Sequence, residues 1–331
     1  MANLIYKITI GKLVASQKAA SDEAVLTSMT STLCLSGSVG HCVIELSAVN
    51  TAPPATGSAV SVEVTVDNKN HTLFTGKVQT VRGNATKLRI TAVDGLDELA
   101  RRAFSRSYEK KSAKDIVKDV LAVASLQAGE LATGPTFASY LLPPSMSALA
   151  HLRRLAEICG CSLYADSAGK VHFTTPPTGE AKHRFAFSKD VVSIDLASNS
   201  FIYDCVQVRG EGAASEKGQQ KAHFLPQSPA NVIGRAGSGA YVHSVGNGAA
   251  RSKSDAATEA KARLTQHTSR PVNGSLCVMG SPLVQPGDLI AIEGIPDNQA
   301  LSKIISGRSL RASAVRHSLT VQAGYLTRIE L

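Results

Sequence analysis

A spacing that occurs twice constrains this chain more than any other feature. Gly57 precedes Val60, Val62 and Val64, and Gly287 precedes Ile290 and Ile292. Gly76 follows Gly57 by 19 residues, and Gly307 follows Gly287 by 20. Leu88-x-Ile90-x-Ala92 starts 12 residues after Gly76, and Leu319-x-Val321-x-Ala323 starts 12 after Gly307. Apolar alternation entered by a turn is the pattern of a half-buried strand. Three landmarks in matching order indicate one β unit used twice. In the second copy Pro286-Gly287-Asp288 forms the corner, because Pro presets φ and Gly accepts a positive φ. Gly57, Gly76, Pro286, Gly287, Asp288 and Gly307 are therefore the candidate structural and assembly positions.

The rest of the chain arranges itself around those two units. Residues 3–96 read as short strands separated by Gly/Pro/Asn turns, which suggests an antiparallel barrel or sandwich. Residues 15–32 are small and polar and read as a loop. The period changes at Asp94, whose side chain can cap a helix through Leu96 and Leu99. A second helix starts at Ser112 with Asp115 in the capping-box position, and is expected to run to Gly129. Residues 129–144 read as a connector and residues 145–158 as a third helix. Cys161 to Phe173 read as a hairpin around a turn at 166–169. Residues 190–210 return to β. Residues 211–250, rich in Gly, Ser, Ala and Gln, read as a mobile loop or arm. Ser252-x-x-Asp255 opens a fourth helix over 253–267. The fold class is β-dominated α+β, with two similar antiparallel β-barrel modules flanking a small helix-plus-hairpin domain. The boundaries are 1–96, 97–189 and 190–331.

Charge and cysteine usage narrow the function classes. The net charge is +9, yet no long Lys/Arg run occurs and aromatics make up only 5%. This argues for a basic solvated face rather than specific nucleic-acid recognition. The N-terminus lacks the apolar core of a signal peptide, and no apolar run approaches a membrane span. Six cysteines are scattered; only Cys159-Gly-Cys161 is close, with no second pair to complete a zinc site. Buried free thiols are the expectation.

No catalytic constellation emerges. Gly234-Arg-Ala-Gly237-Ser-Gly239 lacks the Lys-Ser/Thr of a phosphate-binding loop. The histidines show no metal-ligand spacing, and no G-x-S-x-G elbow occurs. Glu45, Glu63, Asp94 and Asp97 are the carboxylates a glycosidase-like pair would draw on, but nothing in the sequence gathers them. No catalytic residue, metal or cofactor is expected.

The order of motifs resembles a family. A β domain ends in Leu73-Phe-Thr-Gly-Lys-Val78. Ala92-Val-Asp-Gly-Leu-Asp-Glu-Leu-Ala-Arg-Arg102, Arg106-Ser-Tyr108 and Ser112-Ala-Lys-Asp-Ile-Val117 follow. Then come Leu149-Ala-His-Leu-Arg-Arg-Leu-Ala156 with its hairpin, and an Ala-rich helix before Gly280-Ser-Pro-Leu-Val-Gln-Pro-Gly-Asp288. This sequence resembles the late-control protein D family of contractile phage tails, related to myovirus tail hubs and the hub part of type VI secretion spike proteins. The resemblance implies a homotrimeric, structural, non-enzymatic baseplate hub. It would present a quasi-sixfold face to a hexameric tail tube and a threefold face to a spike. The implied partners are the tube protein, a separate spike protein, baseplate wedge proteins, and a tape measure protein or cargo. The implied location is the virion or injection particle, assembled in the bacterial cytoplasm. The chain stops after the second β unit, so the spike's own barrel and needle are expected on another chain. A tail-associated cell-wall or polysaccharide hydrolase and a carbohydrate-binding β protein are the competing readings. The first would need a carboxylate pair in a cleft, the second exposed aromatics and an export signal.

Overall fold

A computed structural model describes residues 5–17, 24–47, 52–198, 200–210, 232–269, 271–305, 308 and 310–331. The N-terminal strands are β1 (Ile5–Ile10), β2 (Leu13–Ser16), β3 (Val25–Cys34), β4 (His41–Ser47), β5 (Ala59–Val66), β6 (Lys69–Gly83) and β7 (Lys87–Val93). The middle of the chain carries α1 (Leu96–Arg101), β8 (Arg106–Ser112), α2 (Ala113–Val123), β9 (Ala128–Leu131) and β10 (Thr136–Leu142). After these come α3 (Ala148–Cys159), β11 (Ser162–Ala165) and β12 (Val171–Thr174). The remainder holds β13 (His183–Ala186), β14 (Val191–Ser198), β15 (Cys205–Gly210), β16 (Ile233–Gly237), β17 (Val242–Asn247) and α4 (Lys253–Thr268). It ends with β18 (Val272–Met279), β19 (Leu289–Glu293), α5 (Ala300–Ile305), β20 (Leu310–Arg311), β21 (Ala314–Thr320) and β22 (Gly324–Glu330).

One sheet of eleven strands unites the two ends of the chain, in the order β14-β18-β22-β21-β3-β4-β7-β6-β5-β1-β2. The expected duplication is visible in its pairings. β3 pairs with β4, β4 with β7, and β7 with β6, while the first half of β6 pairs with β5. In the same succession β14 pairs with β18, β18 with β22, and β22 with β21, while β20 pairs with β19. Even an irregularity repeats: one extra residue, Thr27 in β3 and Val192 in β14, bulges at the same step of its ladder. The two units have separate cores, one around Ile44, Val62, Phe74 and Ile90, the other around Leu276, Ile290, Val315 and Ile329.

Register corrects two of the three expected landmarks. Gly76 lies opposite Val60, and the residue opposite Ile290 is Leu310. Leu310 therefore takes the place expected for Gly307, which itself lies outside the described residues. Leu319 lies in the last pair of residues of β21 and residues 321–323 form a turn, so β22, not 319–323, is the counterpart of β7. The cause is loop length. A two-residue turn, Asp67-Asn68, joins β5 to β6, whereas the β19–β20 connection carries α5.

Between the units, α1, α2 and α3 pack with β8–β12 around Leu99, Ile116, Leu152 and Phe173. Ser112 caps α2 and exchanges hydrogen bonds with Asp115; Ser252 and Asp255 do the same at α4. Four expectations fail locally. Residues 25–34 are a strand, not a loop, because β3 is flanked by β4 and β21 on its two sides. Helix α2 ends at Val123, before Gly129, and the 129–144 connector contains β9 and β10. Residues 233–247 of the expected mobile arm form β16 and β17, paired on either side of β15, with α4 packed on β15 and β16. Residues 211–231 of that arm lie outside the described residues.

Candidate assembly interface

The two β units enter β5 and β19 through equivalent corners. Gly57 has φ +83° and Gly287 φ +93°, conformations a side chain resists. The Gly57 amide donates to Val78 O at 2.8 Å and Val78 N donates to Ser58 O at 2.9 Å. The Gly287 amide donates to Ala312 O at 2.8 Å and Ala312 N to Asp288 O at 3.0 Å. Gly76 serves a different need. Its φ is ordinary, but a Cβ there would overlap the Val93 carbonyl oxygen and the Phe74 ring.

Pro286 and Gly287 fill the central positions of a turn closed by Asp288 N donating to Gln285 O at 3.2 Å. Asp288 then locks the corner. Its carboxylate accepts from Lys182 Nζ at 2.9 Å, His183 Nε2 at 2.8 Å and the Gln285 amide at 2.9 Å. Burial works to raise this carboxyl; the His183, Lys182 and Gln285 hydrogen bonds outweigh it and hold Asp288 below the usual carboxylate range. The corner also docks onto the β11–β12 hairpin. Arg311 Nη2 donates to Ser162 Oγ at 2.9 Å. A cleft of about 490 Å³ separates the two elements, lined by Tyr164, Asp166, His172, Lys182 and Asp288. Within it His172 Nδ1 accepts from the Glu130 amide at 3.1 Å, so Nε2 carries its proton toward Asp166 at 2.9 Å.

Where the units meet, β21 and β3 run antiparallel over seven residue pairs, from Ala314 opposite Cys34 to Thr320 opposite Ser28. Leu319 and Tyr325 of the second unit are buried in the core of the first. His317 lies in this seam, bonded through Nδ1 to Thr327 Oγ1 and Tyr325 Oη, both at 3.1 Å. Burial pushes its pKa down to about 4.

The surface holds a feature the sequence did not signal. Ile202 is 84% exposed and Tyr241 71%, beside Phe201 and Val242, at one end of the β15 sheet. The Asp204 amide donates to Tyr241 O at 3.1 Å and fixes the two segments together. The Tyr203 ring beneath stacks on His267 at 3.7 Å and on His243 at 4.8 Å. Clustered exposed apolar groups on a rigid support mark an interaction surface. Composition hid this one, since its residues come from two stretches far apart in the chain, one of them inside a Gly/Ser-rich segment.

The four carboxylates that a glycosidase-like pair would draw on each lie apart in local pairings. Glu45 pairs with Arg89 at 3.0 Å, Glu63 accepts from Asn70 at 3.1 Å, and Asp97 pairs with Arg101. Asp94 accepts from the Gly40 amide at 2.8 Å and the Leu96 amide at 3.0 Å. Each of the four carboxylates has its own structural partner. Among the described residues no group of three His, Cys, Asp or Glu is placed to hold a metal ion. Cys159 and Cys161 are free thiols, both raised by burial. No helix among the described residues is long and apolar enough to cross a membrane.

Comparison with solved structures finds the same architecture in tail proteins. The 43 kDa tail protein of prophage MuSo2 from Shewanella oneidensis superposes with a TM-score of 0.71 at 13% identity, covering 99% of this chain and 98% of that one. A tail protein from Neisseria meningitidis MC58 gives 0.70 at 13% identity, covering 99% and 96%. The E. coli c3393 protein, a type VI secretion component with structural similarity to T4 bacteriophage tail proteins gp27 and gp5, gives 0.63 at 12%, covering 98% and 75%. A search of curated protein sequences finds no match. The model of the phage tail baseplate hub (GPD) family matches residues 41–312. With most of the chain inside that match, including the whole helical segment between the two β units, this protein is a member of the phage tail baseplate hub family.

Proposed function

We propose that the protein is the structural hub of a contractile injection machine. It acts as a homotrimer that joins a hexameric tail tube to a trimeric spike. One observation carries this reading: a single chain holds two β units of the same strand order, fused edge to edge through β21 and β3. A closed ring of three such chains offers six similar modules on one face and keeps threefold symmetry on the other. Among the described residues no cluster of His, Cys, Asp or Glu offers a competing role for the duplicated unit. The working division is a first barrel over 1–96, a helical domain over 97–189 and a second barrel over 190–331. The hub itself performs no chemistry, and wall-degrading activity belongs to other chains of the particle.

Imaging of the assembled particle at side-chain resolution tests this. The expected result is three copies per baseplate, with both β units of each copy lining the channel. Six copies, or a channel lined by one unit per chain, would refute it. For the enzymatic part, muralytic activity of the purified chain that vanishes on changing one internal Asp or Glu would refute the non-catalytic assignment.

A further inference from the structure

A strand of the helical segment, in neither β unit, has a free edge along a groove. Among the described residues β10 pairs with β8 alone, antiparallel from Thr136 opposite Ser112 to Leu142 opposite Arg106. Phe137, Tyr140 and Leu142 are buried in the helical core, so the strand is firmly anchored. Two adjoining cavities of about 100 and 260 Å³ run beside it and share Asn247 and Ala249 as walls. Residues 135–138 line the narrow cavity and residues 139–141 the wide one, whereas no residue of β8 lines either. The groove therefore follows the edge of β10 that β8 leaves open. Seven residues at about 3.3 Å each make it roughly 20 Å long.

Its walls are fixed. Asn247, 3% exposed, donates through Nδ2 to Glu259 Oε2 at 2.6 Å and accepts from the Ala249 amide at 3.1 Å. His151 Nε2 donates to Pro143 O at 2.9 Å and ties the end of β10 to α3. The charges differ between the ends. Asp255 and Glu259 line the narrow end, and both are engaged. Asp255 accepts from the Arg251 and Ser252 amides at 3.3 and 3.1 Å, and Glu259 accepts from Asn247 and from Arg263 Nε at 2.8 Å. Arg154 and Arg251 line the wide end, which has no Asp or Glu among its lining residues. Arg154 is exposed.

We propose that this groove binds an extended acidic segment of a partner protein, which adds a strand to β10 and sets Asp or Glu side chains against Arg154 and Arg251. An open strand edge presents amide and carbonyl groups at alternate residues, and another extended chain satisfies them. No proline interrupts β10 to prevent this. The narrow end, walled by Phe137, Ile158, Ala249 and Ala262, takes one small apolar side chain of the segment. The two guanidinium groups select carboxylates and exclude basic segments. Fixed walls lower the ordering cost of binding. The site goes beyond the hub reading and does not depend on the number of copies in the particle.

The test uses the purified full-length chain and a fluorescein-labelled heptapeptide with blocked ends. Valine alternates with threonine in its first half and with aspartate in its second. A peptide of reversed sequence offers the other strand direction. One of the two should bind saturably in fluorescence polarisation and slow amide hydrogen exchange within β10. The same peptide methylated on alternate backbone nitrogens cannot complete the ladder and should bind more weakly, on the order of tenfold. A version with lysine for aspartate should lose a similar factor. Arg154→Glu should reverse the preference, favouring the lysine peptide, without moving the melting temperature of the chain. No saturable binding of either peptide, or equal binding of the methylated one, would overturn the proposal. Unchanged preference in Arg154→Glu would do the same. If the peptide instead splits an oligomer of the chain into monomers, the occupant is a second copy and the proposal fails. In each case the hub reading, tested by copy number, stands or falls separately.

Discussion

Gln285 and Ser167 hold each other by two hydrogen bonds: the Ser167 amide donates to Gln285 Oε1 at 3.1 Å, and Gln285 Nε2 donates to Ser167 Oγ at 3.1 Å. The pair ties the β11–β12 hairpin to the turn that opens β19. A side-chain amide that meets a donor and an acceptor at once fixes both position and orientation. Gln285→Ala should cost about 1–2 kcal/mol, the net worth of two such bonds. Thermal unfolding of the isolated chain checks this. An unchanged melting temperature would mean that the hairpin and the second β unit are held together elsewhere.

Ile290 is 1% exposed and sits in the core of the second unit, on β19 between β13 and β20. Ile290→Asp buries a charge with no partner, which costs several kcal/mol. The variant should lose cooperative unfolding and fail to enter particles. Ile290→Val, which removes one methylene, should cost about 1 kcal/mol and still assemble. Retention of assembly by the Asp variant would show that the second unit contributes nothing to the interface.

Gly76 gives a sharper contrast with Gly57. A Cβ at Gly57 meets nothing within 4 Å, so only its φ of +83° resists substitution. At Gly76 the obstacle is backbone, the Val93 carbonyl oxygen, and backbone cannot turn aside. Gly57→Ala should therefore cost about 1–2 kcal/mol through strain alone. Gly76→Val should cost more and should loosen the β6–β7 pairing. Amide hydrogen exchange at Val78 and Ala92, which face each other across that ladder, distinguishes the two variants.

How much of this was legible follows from what each segment packs against. The capping boxes at Ser112/Asp115 and Ser252/Asp255 and the Pro286-Gly287 corner are local, and were readable as such. β3 was not, because its neighbours come from both ends of the chain. With ladders on both sides, Ser31 and Thr32 are buried, so polar residues occupy positions where alternation predicts apolar ones. β16 and β17 were hidden for a related reason. They are short, and α4 lies so close to β16 that a Cβ at Gly234 would meet the backbone of Ala256 and Ala257. The duplication was legible in outline, but its strongest signature was not. Val81-Arg82 with Arg89-Ile90 matches Val315-Arg316 with Arg328-Ile329 only once the lengths of the two hairpins are known. Matching by glycine spacing alone placed Gly307 where the ladder places Leu310.

Two buried groups give the chain opposing responses to pH. His317 has its pKa lowered by burial to about 4, against 6.5 for an ordinary histidine. Between these values the unfolded chain binds a proton that the folded chain refuses, so stability falls as pH falls from about 6.5 to 4. At 1.36 kcal/mol per unit this is on the order of 3 kcal/mol. Asp94 runs the other way. Burial raises it to about 7 from 3.8, with the Gly40 and Leu96 amides working against the rise. The folded chain keeps this proton where the unfolded chain has lost it, so stability falls as pH rises from about 4 to 7. In the wild type the two slopes offset each other across most of this window. Asp94→Asn removes one slope and should expose the acid-side loss, with the melting temperature falling from pH 6.5 to 4. His317→Gln removes the other and should leave a chain that loses stability from pH 4 to 7. Melting curves of the three proteins across pH 4 to 7 check the signs. Parallel profiles would mean that neither group titrates across folding. Because His317 stands in the seam between β21 and β3, the Asp94→Asn chain should also show, at pH 4, faster hydrogen exchange at Ser31 than at residues of the outer strands.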